Sequence, residues 1–175
     1  MISIIYVFWM YVLLFAMIGL LRGWAKELLV AFSVVVALTL NFLLRRFAPV
    51  VSTLPDTDVT LFWIREIVIL AMVYFGYQTV ISVARLQAGA RRERLQDSLF
   101  GFVLGGINGY LIAGSSWFYL DAANYPFPKV FIAPPDEVLT QIKSMIAIMP
   151  PHVLGEPAIY FASVIVLIFI LVVYV

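Results

Sequence analysis

The chain has 175 residues, of which 64% are hydrophobic and only 12% charged, and its net charge is +1. A water-soluble domain carries about 25% charged residues, so a soluble globular fold is excluded; the high apolar content equally excludes a disordered chain. The near balance of eleven Lys and Arg against ten Asp and Glu argues against nucleic-acid binding, zero Cys removes thiolate chemistry and disulfides, and one His leaves no multi-His metal or haem set.

A membrane-spanning helix needs about 20 mostly apolar residues. The first candidate is Met1–Leu21, uncharged until Arg22. It has no basic leader and no small-residue cleavage site, so it reads as an uncleaved helix. The second span is Glu27–Leu44, closed by Arg45 and Arg46, and the short link Arg22–Lys26 forces a tight antiparallel hairpin. Pro49, Pro55, Asp56 and Asp58 make 47–60 a loop. The third span, Leu61–Ala84, carries Arg65 and Glu66 near its start. These two are candidates for an intramembrane ion pair. Adjacent helical residues point about 100° apart, however, so snorkelling to the interface is the plainer reading.

A basic loop, Arg85–Asp97, precedes the fourth span, Ser98–Leu120. There Gly101, Gly105 and Gly109 recur every four residues on one helix face, the pattern that lets another backbone approach closely. Seven of the nine prolines fall in the next segment, 121–157. Within it, 136–149 places Val138, Leu139, Ile142, Met145, Ile146 and Met149 on one stripe, with Gln141, Lys143 and Ser144 opposite. That suits an amphipathic helix in the membrane interface or folded back on the bundle. The fifth span, Ala158–Val175, is apolar to its last residue without polar anchors; the expectation is that the natural chain continues.

The expected fold is all-α: a polytopic transmembrane bundle of about five spans plus one interfacial helix. It divides into a four-helix core (1–120), a Pro-rich segment (121–157) and a fifth helix (158–175). Five spans put six basic residues (Arg22, Lys26, Arg85, Arg91, Arg92, Arg94) on one side and four (Arg45, Arg46, Lys129, Lys143) on the other. The richer side is expected to be cytoplasmic, with the N-terminus outside.

No P-loop, G-x-S-x-G, H-E-x-x-H or intramembrane Ser/His or Asp/Asp pair is present, so no catalytic, metal or cofactor residue is nominated and an enzyme is not expected. His152, in a Pro-Pro-His loop, reads as solvated. Trp9, Trp24, Trp63 and Trp117 read mostly as an interfacial aromatic belt. Asn41, Gln78, Asn108, Ser33, Thr39, Thr79 and Ser82 read as interhelical hydrogen-bonding groups.

Two stretches also resemble one family. Gly19-Leu20-Leu21-Arg22-Gly23-Trp24-Ala25-Lys26-Glu27 resembles the Arg-Gly-x-x-x-Glu hairpin of the colicin V production protein family. The run from Asp97 through Gly101, Gly105 and Asn108 to Gly109 is similar to its second signature, at the start of the fourth helix. The likeness covers roughly residues 1–150. It implies a bacterial inner-membrane protein linked by family name to toxin biosynthesis and export, and more loosely to the envelope. Asn108 and Ser98 stand where members often carry basic residues, and the fifth span is an addition. Physically, Arg22, Gly23 and Glu27 read as a hairpin staple: a basic residue at a helix end, a glycine for the reversal, and an acid at the next helix's positive end.

The leading expectation is a non-enzymatic membrane protein with a scaffold or export role. Alternatives are an accessory subunit of a larger respiratory or photosynthetic complex, or a channel or transporter. The expected contacts are the lipid bilayer, other transmembrane helices through the Gly101, Gly105 and Gly109 face, and in the accessory reading a larger complex.

Overall fold

The computed structural model describes residues 3–78, 94–127 and 136–174. In chain order the helices are α1 (Ile4–Arg22), α2 (Trp24–Phe47), α3 (Pro49–Ser52), α4 (Val59–Gln78), α5 (Arg94–Ala122), α6 (Asp136–Ile146), α7 (Pro150–Val153) and α8 (Ala158–Tyr174). No strand occurs among the described residues. The protein is an all-α helical bundle. Four helices (α1, α2, α4 and α5) are long and apolar enough to cross a membrane. The fifth expected span is α8, a shorter apolar helix of 17 residues.

Each boundary has a local cause. Ser3 caps α1, its hydroxyl accepting from Ile5 N at 3.4 Å. Gly23, at φ +85°, closes α1 and starts α2 in one residue, a conformation that L side chains resist. Asp58 caps α4: its Oδ1 accepts from Thr60 N at 2.6 Å and its carbonyl from Phe62 N at 3.1 Å. The bond from the Thr60 amide, foremost, holds the Asp58 carboxyl below the ordinary carboxylate range.

The fourth span is already helical at Arg94, four residues before the expected Ser98, and the acid Asp97 near its start favours the helix. The expected loop at 47–60 contains the short α3, with Pro49 at its start, where a missing N–H costs nothing. Most of the basic loop, and with it Arg85, Arg91, Arg92, Thr79 and Ser82, lies outside the described residues, as does Lys129.

The closest packing joins α1 and α5, which run antiparallel. A methyl built on Gly105 would collide with the Phe15 carbonyl and with Gly19 Cα, and one built on Gly109 would stand 2.8 Å from Val12 Cα. Gly101 likewise rests on the Gly19 carbonyl. The glycine face is therefore filled from within the chain. Lipid tails are as apolar as leucine, so such contact is held by dispersion at short range and is lost when a side chain separates the backbones.

Helix α2 lies between α4, α5 and α8. Val30 and Val34 on α2, with Ile112 on α5, form a fully buried layer; Ala37, Leu38, Phe62, Ile69, Tyr119, Leu120 and Ile159 form a second. Across to α8, the Thr39 and Ser163 hydroxyls are 2.7 Å apart, and the Phe32 ring packs tilted against Phe169 with centroids 4.5 Å apart. The amphipathic segment folds back on the bundle. Ile142 of α6 and Met149 bury against Phe8 and Trp117, while Gln141, Lys143 and Ser144 are exposed. Its helix ends at Ile146, three residues short of the expected bound, because a turn there brings Pro150 onto Gly114. One belt assignment is corrected: Trp117 is buried, donating from Nε1 to the Tyr125 hydroxyl at 3.2 Å, whereas Trp9 and Trp63 are exposed.

Candidate functional site

The hairpin residues meet the start of α5. Arg22 ends α1, and its Nη1 donates to Glu27 Oε1 at 2.9 Å in the first turn of α2. Glu27 is completely buried. Its other oxygen, Oε2, accepts from Asn108 Nδ2 at 2.8 Å, and the same amide donates to the Glu27 carbonyl at 2.9 Å. One carboxylate thus joins the α1–α2 reversal to the middle of α5.

Two further contacts close the knot. Asp97 Oδ1 accepts from Trp24 N at 3.2 Å, satisfying an amide that α2 leaves free at its start. The Asp97 carboxylate also packs so closely on Gly23 that a Cβ there would stand 2.7 Å from Oδ2. Gly23 is thus required twice, for its backbone angle and for its lack of a side chain. Arg22 Nη2 donates to the Tyr77 carbonyl at 3.3 Å, and its guanidinium carbon lies 4.2 Å from the Tyr77 ring centre. That brings in α4. Two buried atoms of the knot, Asn108 Oδ1 and the Tyr77 hydroxyl, have no partner among the described residues.

The two stretches that resemble signatures in the sequence are therefore one site, and the model of a single known family spans both: the colicin V production protein model matches residues 5–134. The chain belongs to the colicin V production protein family. No curated protein and no solved structure matches it. The family match takes in α1 to α5 and stops before α6, so α6 to α8 lie beyond the family core.

A second polar cluster occupies the opposite end of that core. Asn41 Nδ2 donates to the Arg65 carbonyl at 3.2 Å, and Ser116 Oγ donates to Glu66 Oε2 at 2.9 Å. Arg65 and Glu66 do not pair with each other, which corrects the ion-pair reading. Arg65 turns to Asp56 in the preceding loop at 2.9 Å and lies over the Tyr119 ring at 4.9 Å, whereas Glu66 points into the bundle. Adjacent helical positions face different surroundings, and each side chain followed its own. Arg45 also donates to the carbonyls of Val51 in α3 and of Leu54 in the loop after it, and Arg46 reaches Glu156 at 3.1 Å. His152 sits exposed on α7.

Sequence reasoning missed Tyr77, whose place at the end of an apolar run gives no hint of a cationic neighbour. It also placed Asp97 in a signature without seeing that it caps α2. A hint existed: an acid at the start of α5 and an uncapped glycine start for α2 both lie on the same side of a four-span ladder. Among the described residues no group of three or more His, Cys, Asp or Glu could hold a metal ion.

Proposed function

We propose that this family member is a non-enzymatic structural protein of the bacterial cytoplasmic membrane, with a scaffold or export role in toxin production and in the envelope. The observation that supports this reading is the use of its motif residues. Arg22, Glu27, Asp97 and the Asn108 amide bond to one another and to backbone, locking α1, α2, α4 and α5 at one end. Groups arranged for chemistry on a substrate instead leave reacting atoms free and aligned. The charge asymmetry favours an orientation with the Arg22 end cytoplasmic and the Arg45 end outside.

Complementation tests the role. Bacteria that make a secreted peptide toxin but lack their own family member regain secretion when they express this chain. They do not regain it with Asn108→Leu, which removes the bond between α5 and Glu27. Secretion indifferent to the presence of the chain overturns the reading.

A further inference from the structure

The two buried carboxylates of the core are treated very differently. Glu27 has a guanidinium on one oxygen and an amide on the other. Glu66 is 7% exposed and has one hydroxyl, from Ser116, on Oε2. Its Oε1 has no partner among the described residues, and neither has Oδ1 of Asn41, a residue only 5% exposed. The nearest cation in sequence, Arg65, is engaged by Asp56, which Arg45 also approaches at 3.7 Å.

The three polar residues share one depth. Glu66 lies seven residues into α4, and Asn41 and Ser116 lie six from the ends of α2 and α5, each about 10 Å from the Arg45 end of the bundle. Helices α2, α4 and α5 therefore bring to one seam a carboxylate, an amide oxygen and a hydroxyl. Two of these offer buried acceptor oxygens with no donor among the described residues. A buried acceptor without a donor costs several kcal/mol, and a lone carboxylate at membrane depth more. What satisfies two acceptors and one negative charge is a single positive charge; a divalent ion would leave an excess charge buried.

We propose that Glu66, with Asn41 and Ser116, forms an intramembrane site for one small monovalent cation, a proton or Na⁺, reached from the Arg45 end. The charged and titratable groups around it are Arg65 on the same helix, Asp56 in the loop, Arg45 on α2 and Tyr119 on α5. Arg65 and Asp56 pair with each other, so their charges largely cancel at the site. Below it the apolar layer of Val30, Val34 and Ile112 separates it from the Glu27 knot, so the membrane face nearer to the site is the one at the Arg45 end. This proposal goes beyond the structural role and does not require it.

The test uses the purified full chain in lipid nanodiscs. Equilibrium binding of radioactive Na⁺, with choline holding ionic strength constant, is measured beside the infrared absorption of protonated carboxyl groups. If Na⁺ occupies the site, binding saturates at one per chain, vanishes in Glu66→Gln and weakens tenfold or more in Asn41→Leu and Ser116→Ala. If the proton occupies it, Na⁺ binding is absent and a protonated-carboxyl band disappears in Glu66→Gln and shifts in Asn41→Leu. Should Glu66→Gln fail to fold, Asn41→Leu and Ser116→Ala, which keep the carboxyl, decide by the same two readouts. Neither saturable Na⁺ nor a carboxyl band sensitive to these substitutions overturns the proposal.

Discussion

Glu27 shows how a single residue gains its meaning from what surrounds it. In an apolar helix a bare carboxylate would be strongly unfavourable, yet this one is completely buried because Arg22 supplies charge and the Asn108 amide donates one hydrogen bond to it and a second to the Glu27 carbonyl. Removing one partner of such a pair strands the other. Arg22→Met should cost about 3 kcal/mol of bundle stability, and Asn108→Leu about 1 to 2 kcal/mol. Because both act on one carboxylate, the double variant should depart from the sum of the single effects. Unfolding in detergent, followed by helical circular dichroism, gives all three values. Strict additivity would mean that the two contacts are independent, contrary to the shared acceptor.

At the scale of elements, the contact between α1 and α5 carries the sharpest steric demand. Gly105 and Gly106 are neighbours in sequence with opposite surroundings. A Cβ on Gly105 meets the backbone of α1, whereas one on Gly106 lies 3.6 Å from the Ala16 methyl, an ordinary contact. Gly105→Leu should therefore separate the two helices and lower the thermal midpoint of the detergent-solubilised protein sharply, while Gly106→Ala should leave it within a degree or two. Equal behaviour of the two variants would show that the backbone contact is not what holds these helices. The four-residue glycine spacing was legible in the sequence; its partner was not. Spacing identifies a face that admits close approach, but α1 offers the matching surface through Gly19, Ala16, Phe15 and Val12, which form no glycine repeat of their own.

For the whole molecule, α1, α2, α4 and α5 alternate in direction, so one end gathers Arg22, Trp24, Tyr77 and Asp97 and the other gathers Arg45, Asp56, Glu66 and Trp117. The absence of cysteine makes the orientation proposed above directly testable, since an introduced thiol is the only one present. Thr57→Cys, on the exposed loop before α4, should react with an impermeant maleimide in intact cells. Leu95→Cys, exposed at the start of α5, should react only after the membrane is opened. The reverse pattern inverts the topology and would place the Glu66 seam towards the cytoplasm.

Composition and hydropathy alone determined that this is a helical membrane protein, because a chain with 12% charged residues has too few to cover a water-facing surface. The order of the apolar runs and the breakers between them likewise set the helices and the helical hairpin, since these depend on contacts only a few residues apart. The two signature stretches were enough to suggest the family. Only the tertiary structure decided which side chains meet. Arg65 and Glu66 are adjacent in the chain and part towards Asp56 and Ser116; Glu27 and Asn108 are far apart and meet. Inside a bilayer the partners of a polar group are chosen by which helix faces lie opposite at the same depth, and that depends on packing between segments remote in sequence. For the same reason, the fully compensated Glu27 and the half-satisfied Glu66 were indistinguishable as letters and became opposites in the fold.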